Sequence, residues 1–328
     1  MPDDDLHFSR SGTSHFGKLT AEVKTRPSED EKADLMRASR PWPEKGHGRD
    51  CKGAAMRAID LFAGAGGFST GARMAGCQVV WAADHWPLAV QWHAANHPDA
   101  AHVCQDLHQA DWRAVPAHDL LLASPACQGH SLARGAERPH HDAQRSTAWA
   151  VVSACEYHRP PVAVVENVPE FVRWALFPAW SLAMRALGYA VAPHLVDAAD
   201  HGVPQHRRRL FLVCTRSTRP LLLDLPRREH RPAASVIDFE AGRWSAINKP
   251  GRAERTLRRI EAGQRAHGSR FVAPYYGSGS GETGRSLNRP LGTITTRDRW
   301  SVIDGDRMRM LTATECRAAM GFPDDYRL

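Results

Sequence analysis

The chain has 328 residues, 42% of them hydrophobic, and a formal net charge of +7. That allows one large or two modest domains with a substantial core, and it is too apolar for a disordered chain. No apolar run approaches the ~20 residues of a membrane helix. The acidic start Met1-Pro2-Asp3-Asp4-Asp5 has no signal-peptide core. Seven scattered cysteines without a Cys-x-x-Cys pair fit reduced thiols in a cytoplasm, with neither a disulfide frame nor a metal site expected.

The charge is uneven. Residues 1–50 hold nine Lys/Arg against ten Asp/Glu, and residues 1–55, rich in Ser, Pro and Gly without a sustained period, read as a disordered charged leader. From Met56 the texture becomes regular. "RAIDLF" reads as a strand, "AGAGGFSTGARMAG" as a glycine turn entering a helix, and "CQVVWAAD" as a strand ending in an acid. "PLAVQWHAANHP" reads as a helix, "HVCQDL" as a strand ending in another acid, and "HDLLLASP" as the next strand. A helix at "STAWAVVSACEYHRP", a strand at "PVAVVENV", a helix at "FPAWSLAMRALGY" and a late strand at "RRRLFLVCT" follow. Strands alternating with helices at this spacing predict an α/β fold with a doubly wound, mainly parallel sheet.

After Thr215 the alternation stops. From Gln205 to Arg270 there are sixteen Lys/Arg against six Asp/Glu, an excess that fits a polyanion-binding surface or a merely solvated basic one. Residues 215–288, with one helix at "RAERTLRRIEAGQ", are expected to form a second, smaller irregular lobe. Residues 289–328, with "RPLGTITTRDRWSVI" and the helix-like "TATECRAAMGF", are expected to return and pack on the 56–214 domain.

Chemistry gathers at the ends of the predicted strands, where an α/β sheet presents its reactive groups. In "DLFAGAGGFSTG", glycines 64, 66 and 67 allow positive φ and close ligand approach ahead of a helix N-terminus. Ser69 breaks the Gly-x-Gly-x-x-Gly fingerprint, so no pyrophosphate cradle is implied. Asp84 and Asp106 close the next two strands, where a carboxylate can accept from ribose hydroxyls or from an amino group. Either could equally cap a helix. "LLLASPACQGHSLARG" carries Cys127 out of an apolar strand into a polar loop, away from the apolar periodicity in which structural cysteines sit. Glu166 ends "PVAVVE", and an acid so placed needs a partner and suits proton donation. In "QHRRRLFLV" the period of two puts Gln205, Arg207 and Arg209 on one face, suited to an anion or a carbonyl oxygen.

Taken in order, "DLFAGAGGFSTG", "SPACQGHS", "ENV", "QHRRR" and "RPLGTITTR…LTATECRAAMGFPDDY" resemble the motifs of the C5-cytosine DNA methyltransferases, over about Ala58–Leu328. The resemblance implies the S-adenosylmethionine-dependent methyltransferase fold. It implies that S-adenosylmethionine is held by Phe62, Ala63, Gly64, Gly66, Gly67, Asp84, His85, Asp106, Leu107 and Pro125. It makes Cys127 the nucleophile on a flipped cytosine, with Glu166, Arg207 and Arg209 as its catalytic partners. Gln128, Ser131, Arg134, Gln205, Thr295 and Arg297 are the expected DNA contacts, and the 215–288 lobe the expected target reader.

Two departures stand out. The family's Pro-Pro-Cys is Pro125-Ala126-Cys127 here, which frees one backbone φ. The sequence also reaches Leu328 ahead of the family's Gly-Asn-x-Val helix, which a shortened chain, a degenerate product or a second chain supplying that helix would each explain. The expected protein is a monomer on double-stranded DNA in a cytoplasmic nucleoid, serving restriction–modification or phage DNA protection. A catalytically silent DNA-binding paralogue and a tRNA cytosine methyltransferase of the same fold are the competing expectations.

Overall fold

The computed structural model describes residues 55–126, 146–275, 283–295 and 300–327. The expected leader at 1–55 falls outside these residues apart from its last position. All the described residues belong to one unit, Ala54–Leu328.

Seven strands build the main sheet. β1 (Arg57–Leu61) enters α1 (Gly67–Met74) through the glycine turn, and β2 (Gln78–Asp84) enters α2 (Pro87–Asn96). β3 (Ala101–Cys104), β4 (Leu120–Ala123), α3 (Ala148–His158), β5 (Val162–Asn167) and α4 (Phe177–Ala186) follow. β6 (Ala190–Asp197) and β7 (Arg208–Thr215) complete it. The order is β3-β2-β1-β4-β5-β7-β6, parallel except for β7, which runs antiparallel to both its neighbours. The predicted α/β doubly wound sheet is therefore present.

Apolar residues explain the layering. Alternate residues of the strands feed two cores: Ile59, Leu61, Leu121, Ala123, Ala163, Val165 and Leu212 in one, and Ala58, Val79, Leu120 and Leu122 in the other. Two buried aromatic polar tips find backbone partners. Trp180 Nε1 donates to the Ala148 carbonyl at 2.9 Å and the Tyr189 hydroxyl to Pro160 at 2.8 Å.

β6 has no counterpart among the predicted elements. Pro193 interrupts its apolar run, and a proline is tolerated there because β6 is an edge strand paired on one side only.

A second, antiparallel sheet takes its strands from both sides of residue 288. It consists of β8 (Ser245–Ala246), β9 (Arg270–Pro274), β10 (Trp300–Asp304) and β11 (Arg307–Met310), in the order β8-β11-β10-β9. α5 (Glu254–His267) covers one face through Ile260, Phe271, Ala273, Ile303 and Met308. Ile237, Leu291, Trp300, Val302 and Ala319, the last on α6 (Ala313–Ala319), pack on the other. Thr312 and Glu315 cap α6 reciprocally. No helix among the described residues is long and apolar enough to cross a membrane.

Candidate functional site

The strand order reverses between β1 and β4, and an open α/β sheet offers its ligand crevice at the carboxyl ends beside such a reversal. The turn leaving β1 holds Phe62, Gly64 and Gly66 at φ 57°, 56° and 97°. Gly66 is required twice over: its backbone is left-handed, and an added Cβ would lie 2.7 Å from His97 Nε2. Gly66 at the N-cap of α1 brings no side-chain acceptor, and Asp60 Oδ2 takes the Ser69 N–H at the third position, so among the described residues the N–H groups of Gly67 and Phe68 are the ones left at the mouth of the turn.

Asp84 pins this turn to β2. Its Oδ2 accepts from the Gly64 N–H at 3.0 Å and its Oδ1 from the Trp86 N–H at 2.9 Å, with His85 Nδ1 3.3 Å away. Asp106 is exposed after β3 and caps the short 107–109 turn by accepting from the His108 N–H at 3.0 Å. Leu107 is buried in the main core beneath it. Phe62 packs against the same core, so these groups share one end of the sheet.

The other side of the crevice follows β4. Pro125 is buried, and its carbonyl accepts from Asn167 Nδ2 at 3.0 Å, while the Ala126 N–H donates to Thr147 Oγ1 at 3.1 Å. Asn167 and Thr147 thus hold the Pro125-Ala126 step from both sides. Sequence reasoning missed both as site residues, although "ENV" contains Asn167 beside Glu166. Arg209 Nε lies 2.8 Å from Glu166 Oε1, with both side chains partly exposed. The antiparallel register sets Glu166 opposite Phe211, so Arg209 is its diagonal neighbour on the same face. Arg207 is half-buried, and its N–H donates to Asp197 Oδ1 at 2.9 Å.

Gln205 differs from expectation. It is fully buried, its amide donates to the Ala319 carbonyl at 3.4 Å, and its oxygen accepts from the Ile294 N–H at 3.3 Å. A buried amide must satisfy its own donors and acceptors, and in doing so Gln205 holds a neighbouring segment. What it positions is the 291–295 segment, which also pairs with residues 204–206 and ties Thr293 Oγ1 to the His206 carbonyl at 2.7 Å. Thr295 is half-buried at the end of that segment. Cys127, Gln128, Ser131, Arg134 and Arg297 lie outside the described residues.

Beneath the glycine turn lies a buried polar layer with no forecast in the sequence. Asp60, fully buried on β1, accepts at Oδ2 from Ser69 Oγ (2.6 Å) and the Ser69 N–H (3.1 Å), while its Oδ1 has no partner among the described residues. Burial pushes its carboxyl up to about 7 against the pull of Ser69. Ser69 Oγ is 3.0 Å from His93 Nε2, and His93 Nδ1 is 2.8 Å from His102 Nε2. Burial, with His97 and His102 nearby, pushes His93 down to about 3. Among the described residues no group of three or more His, Cys, Asp or Glu is placed to hold a metal ion.

A family model described as C-5 cytosine-specific DNA methylase matches residues 56–328. The chain is 33% identical over 168 residues to the type II methyltransferase M.AgeI of Thalassovita gelatinovora, covering 48% of this chain and 39% of that protein. It is 25% identical over 294 residues to the type II methyltransferase M.HhaI of Haemophilus parahaemolyticus, covering 83% of this chain and 86% of the relative. Against M.AgeI, the aligned part is therefore less than half the relative's length. The fold matches the solved Dnmt2 methyltransferase of S. pombe with a TM-score of 0.53 at 14% identity, covering 84% of this chain and 89% of that one.

Proposed function

Because the chain belongs to the C-5 cytosine-specific DNA methylase family, we propose that it is a DNA cytosine-C5 methyltransferase acting on a base flipped out of the duplex. The observation that carries the reading is the Glu166–Arg209 pair at 2.8 Å, on strand ends next to the step that leads into Cys127. An acid held by an arginine beside a nucleophile's turn suits a ring that must be activated before it can react.

The residues fit the family's methyl donor, S-adenosylmethionine. The turn at 62–67 gives backbone access, and the Gly67 and Phe68 N–H groups at the start of α1 suit a carboxylate. Asp84 and the exposed Asp106 keep lone pairs for hydroxyl and amino donors, with His85 and Pro125 at the rim. When bound, S-adenosylmethionine supplies an electrophilic methyl on a sulfonium.

Cytosine C5 is a poor nucleophile. The Cys127 thiolate adds to C6 while Glu166 delivers a proton to N3, so the electron pair of the C5–C6 double bond becomes available at C5. Arg209 holds Glu166 and, with Arg207, faces the base's O2 and the nearby phosphate. After C5 is methylated, a water takes the C5 proton, the C5–C6 double bond re-forms as the C6–S bond breaks and the Cys127 thiolate leaves, and N3 returns its proton to Glu166. Gln128, Ser131, Arg134, Thr295 and Arg297 contact DNA around the flipped base, and Gln205 acts by holding the Thr295 segment. The basic 215–288 lobe reads the target, and residues 289–328 join it to the 56–214 domain. The protein works as a monomer on double-stranded DNA at the nucleoid, in restriction–modification or phage DNA protection.

Transfer of labelled methyl from S-adenosylmethionine to duplex DNA, with the product base identified after digestion, tests the reading. 5-Methylcytosine in DNA that disappears with Cys127→Ala is expected. Label found only in transfer RNA, or none with duplex binding intact, would overturn the DNA methyltransferase assignment.

A further inference from the structure

Two neighbouring carbonyls of the glycine turn are held by side chains from distant parts of the chain. The Gly66 carbonyl accepts from Thr70 Oγ1 at 2.7 Å and lies 3.2 Å from His97 Nε2. The Ala65 carbonyl accepts from the Tyr326 hydroxyl. The His97 and Tyr326 rings meet edge to face, with centroids 6.4 Å apart.

The tautomer of His97 follows from its other neighbour. Arg73 Nη1 is 3.3 Å from His97 Nδ1. A guanidinium can only donate, so Nδ1 carries the lone pair and Nε2 the proton. That proton points at the Gly66 carbonyl, which can only accept, with Thr70 Oγ1 at the same 3.2 Å from Nε2. The segment bearing Tyr326 is itself fastened: Asn96 Nδ2 donates to the Arg327 carbonyl at 3.0 Å, and the Arg327 N–H donates to Asn96 Oδ1 at 2.7 Å. Phe322 packs against Gly67, where an added Cβ would stand 3.3 Å from the ring.

We infer that His97 and Tyr326 are positioning residues for the methyl donor, fixing two successive carbonyls of the turn and so the backbone that receives the ligand. This rests on the reading of that turn as the S-adenosylmethionine site. The device requires a neutral His97, because a proton on Nδ1 would set an imidazolium against the Arg73 guanidinium. The titratable or charged groups facing His97 are Arg73 on α1, His93 on its own helix, His102 on β3 and Tyr326, with Asp60 on β1 joined through Ser69 and His93. Burial, together with Arg73 and His102, holds His97 below the ordinary imidazole range. Donor affinity should therefore stay level from mildly alkaline pH down past neutrality and fall only below the ordinary imidazole value of 6.5.

The test is the dissociation constant for S-adenosylmethionine, by calorimetry on the 328-residue chain across that pH range, with duplex affinity measured alongside. His97→Phe and Tyr326→Phe should each weaken the donor about tenfold, the size of one lost buried hydrogen bond, with duplex affinity unchanged. His97→Gln keeps an N–H donor, so it should recover most of the affinity and lose the acid limb. Tyr326→Phe removes one hydroxyl only, so it reports even if His97→Phe fails to fold. Variants that bind the donor as wild type does, or a His97→Gln as weak as His97→Phe, would overturn the inference alone. A wild-type chain that binds duplex but no donor would overturn the functional reading and the inference with it.

Discussion

The two sheets keep their polar groups in opposite places. Among the described residues of the large sheet, the buried positions inside the strands are apolar except for Asp60, and Asp84, Glu166, Asn167 and Arg209 gather at one end of the sheet, where they hold backbone or each other. In the small sheet the charge is internal. Arg309 and Glu315, with side chains 1% and 3% exposed, pair through two contacts of 2.6 and 2.7 Å. Arg309 also donates to the Asp238 carbonyl at 2.6 Å, and the Asp238 N–H donates to Glu315 Oε1 at 2.9 Å. The guanidinium of Arg309 stacks on Trp244, which lies parallel to Phe239. The part-exposed Glu166 should therefore be exchangeable with little effect on folding, whereas the small sheet depends on its buried pair.

The largest expected effect falls on activity alone. Cys127→Ala should abolish methyl transfer, and Glu166→Gln should slow it by about 10²–10⁴-fold, with thermal unfolding close to wild type in both. A matching loss of stability would break the contrast.

Glu315→Ala should do the reverse and destabilise the protein by about 3–5 kcal/mol, because it leaves Arg309 buried and unpaired. Denaturant midpoints would read this, and replacing both partners together by Met and Leu should recover much of the loss. Burial is the largest single influence and works against ionised Glu315, but Arg309 together with the Thr312 and Asp238 N–H groups outweighs it and holds the carboxyl below its ordinary 4.5. The stability this pair contributes is present above that value and is lost as pH falls through the lower folded value.

Gly66→Ala comes next, with an expected cost of about 1–3 kcal/mol for a side chain in a left-handed backbone and a contact to His97 to relieve. Calorimetry should show weakened donor binding with duplex binding retained.

Asp60 is the exception within the large sheet, and pH exposes it. Its folded value of about 7 lies above the ordinary 3.8, so its contribution to stability is full below 3.8 and is lost as pH rises through about 7. His93, lowered from 6.5 to about 3, has the opposite sign: its contribution is full above 6.5 and is lost as pH falls through about 3. Asp60→Asn should flatten the loss of thermal stability between mildly acid and mildly alkaline pH. The smallest effect belongs to the exposed pair Glu254–Arg258 on α5, where removal should change stability by about 0.5 kcal/mol or less.

The same contrast explains what was legible in the sequence. Strands with apolar alternation, and the acids and glycines that end them, are local patterns, so the large sheet apart from β6 could be read directly. β6 was hidden by Pro193, which local rules assign away from a strand and which only an edge position permits. Gln205 looked like part of an outward face because period two says which side a residue takes, not whether another segment covers that side. The Arg309–Glu315–Asp238 cluster joins residues far apart in the chain, and nothing local marks them as partners. The histidine layer was equally silent, since His93, His97 and His102 acquire their roles only when α2 and β3 pack beneath the glycine turn.

The central claim is that the strand ends of the large sheet form a cytosine-methylating centre built around Cys127. It is tested most directly by incubating the chain with S-adenosylmethionine and a duplex containing 5-fluorocytosine, whose fluorine blocks the final elimination. The account predicts a denaturation-resistant protein–DNA adduct that is absent with Cys127→Ala. Duplex binding without any such adduct, or an adduct that survives Cys127→Ala, would contradict it.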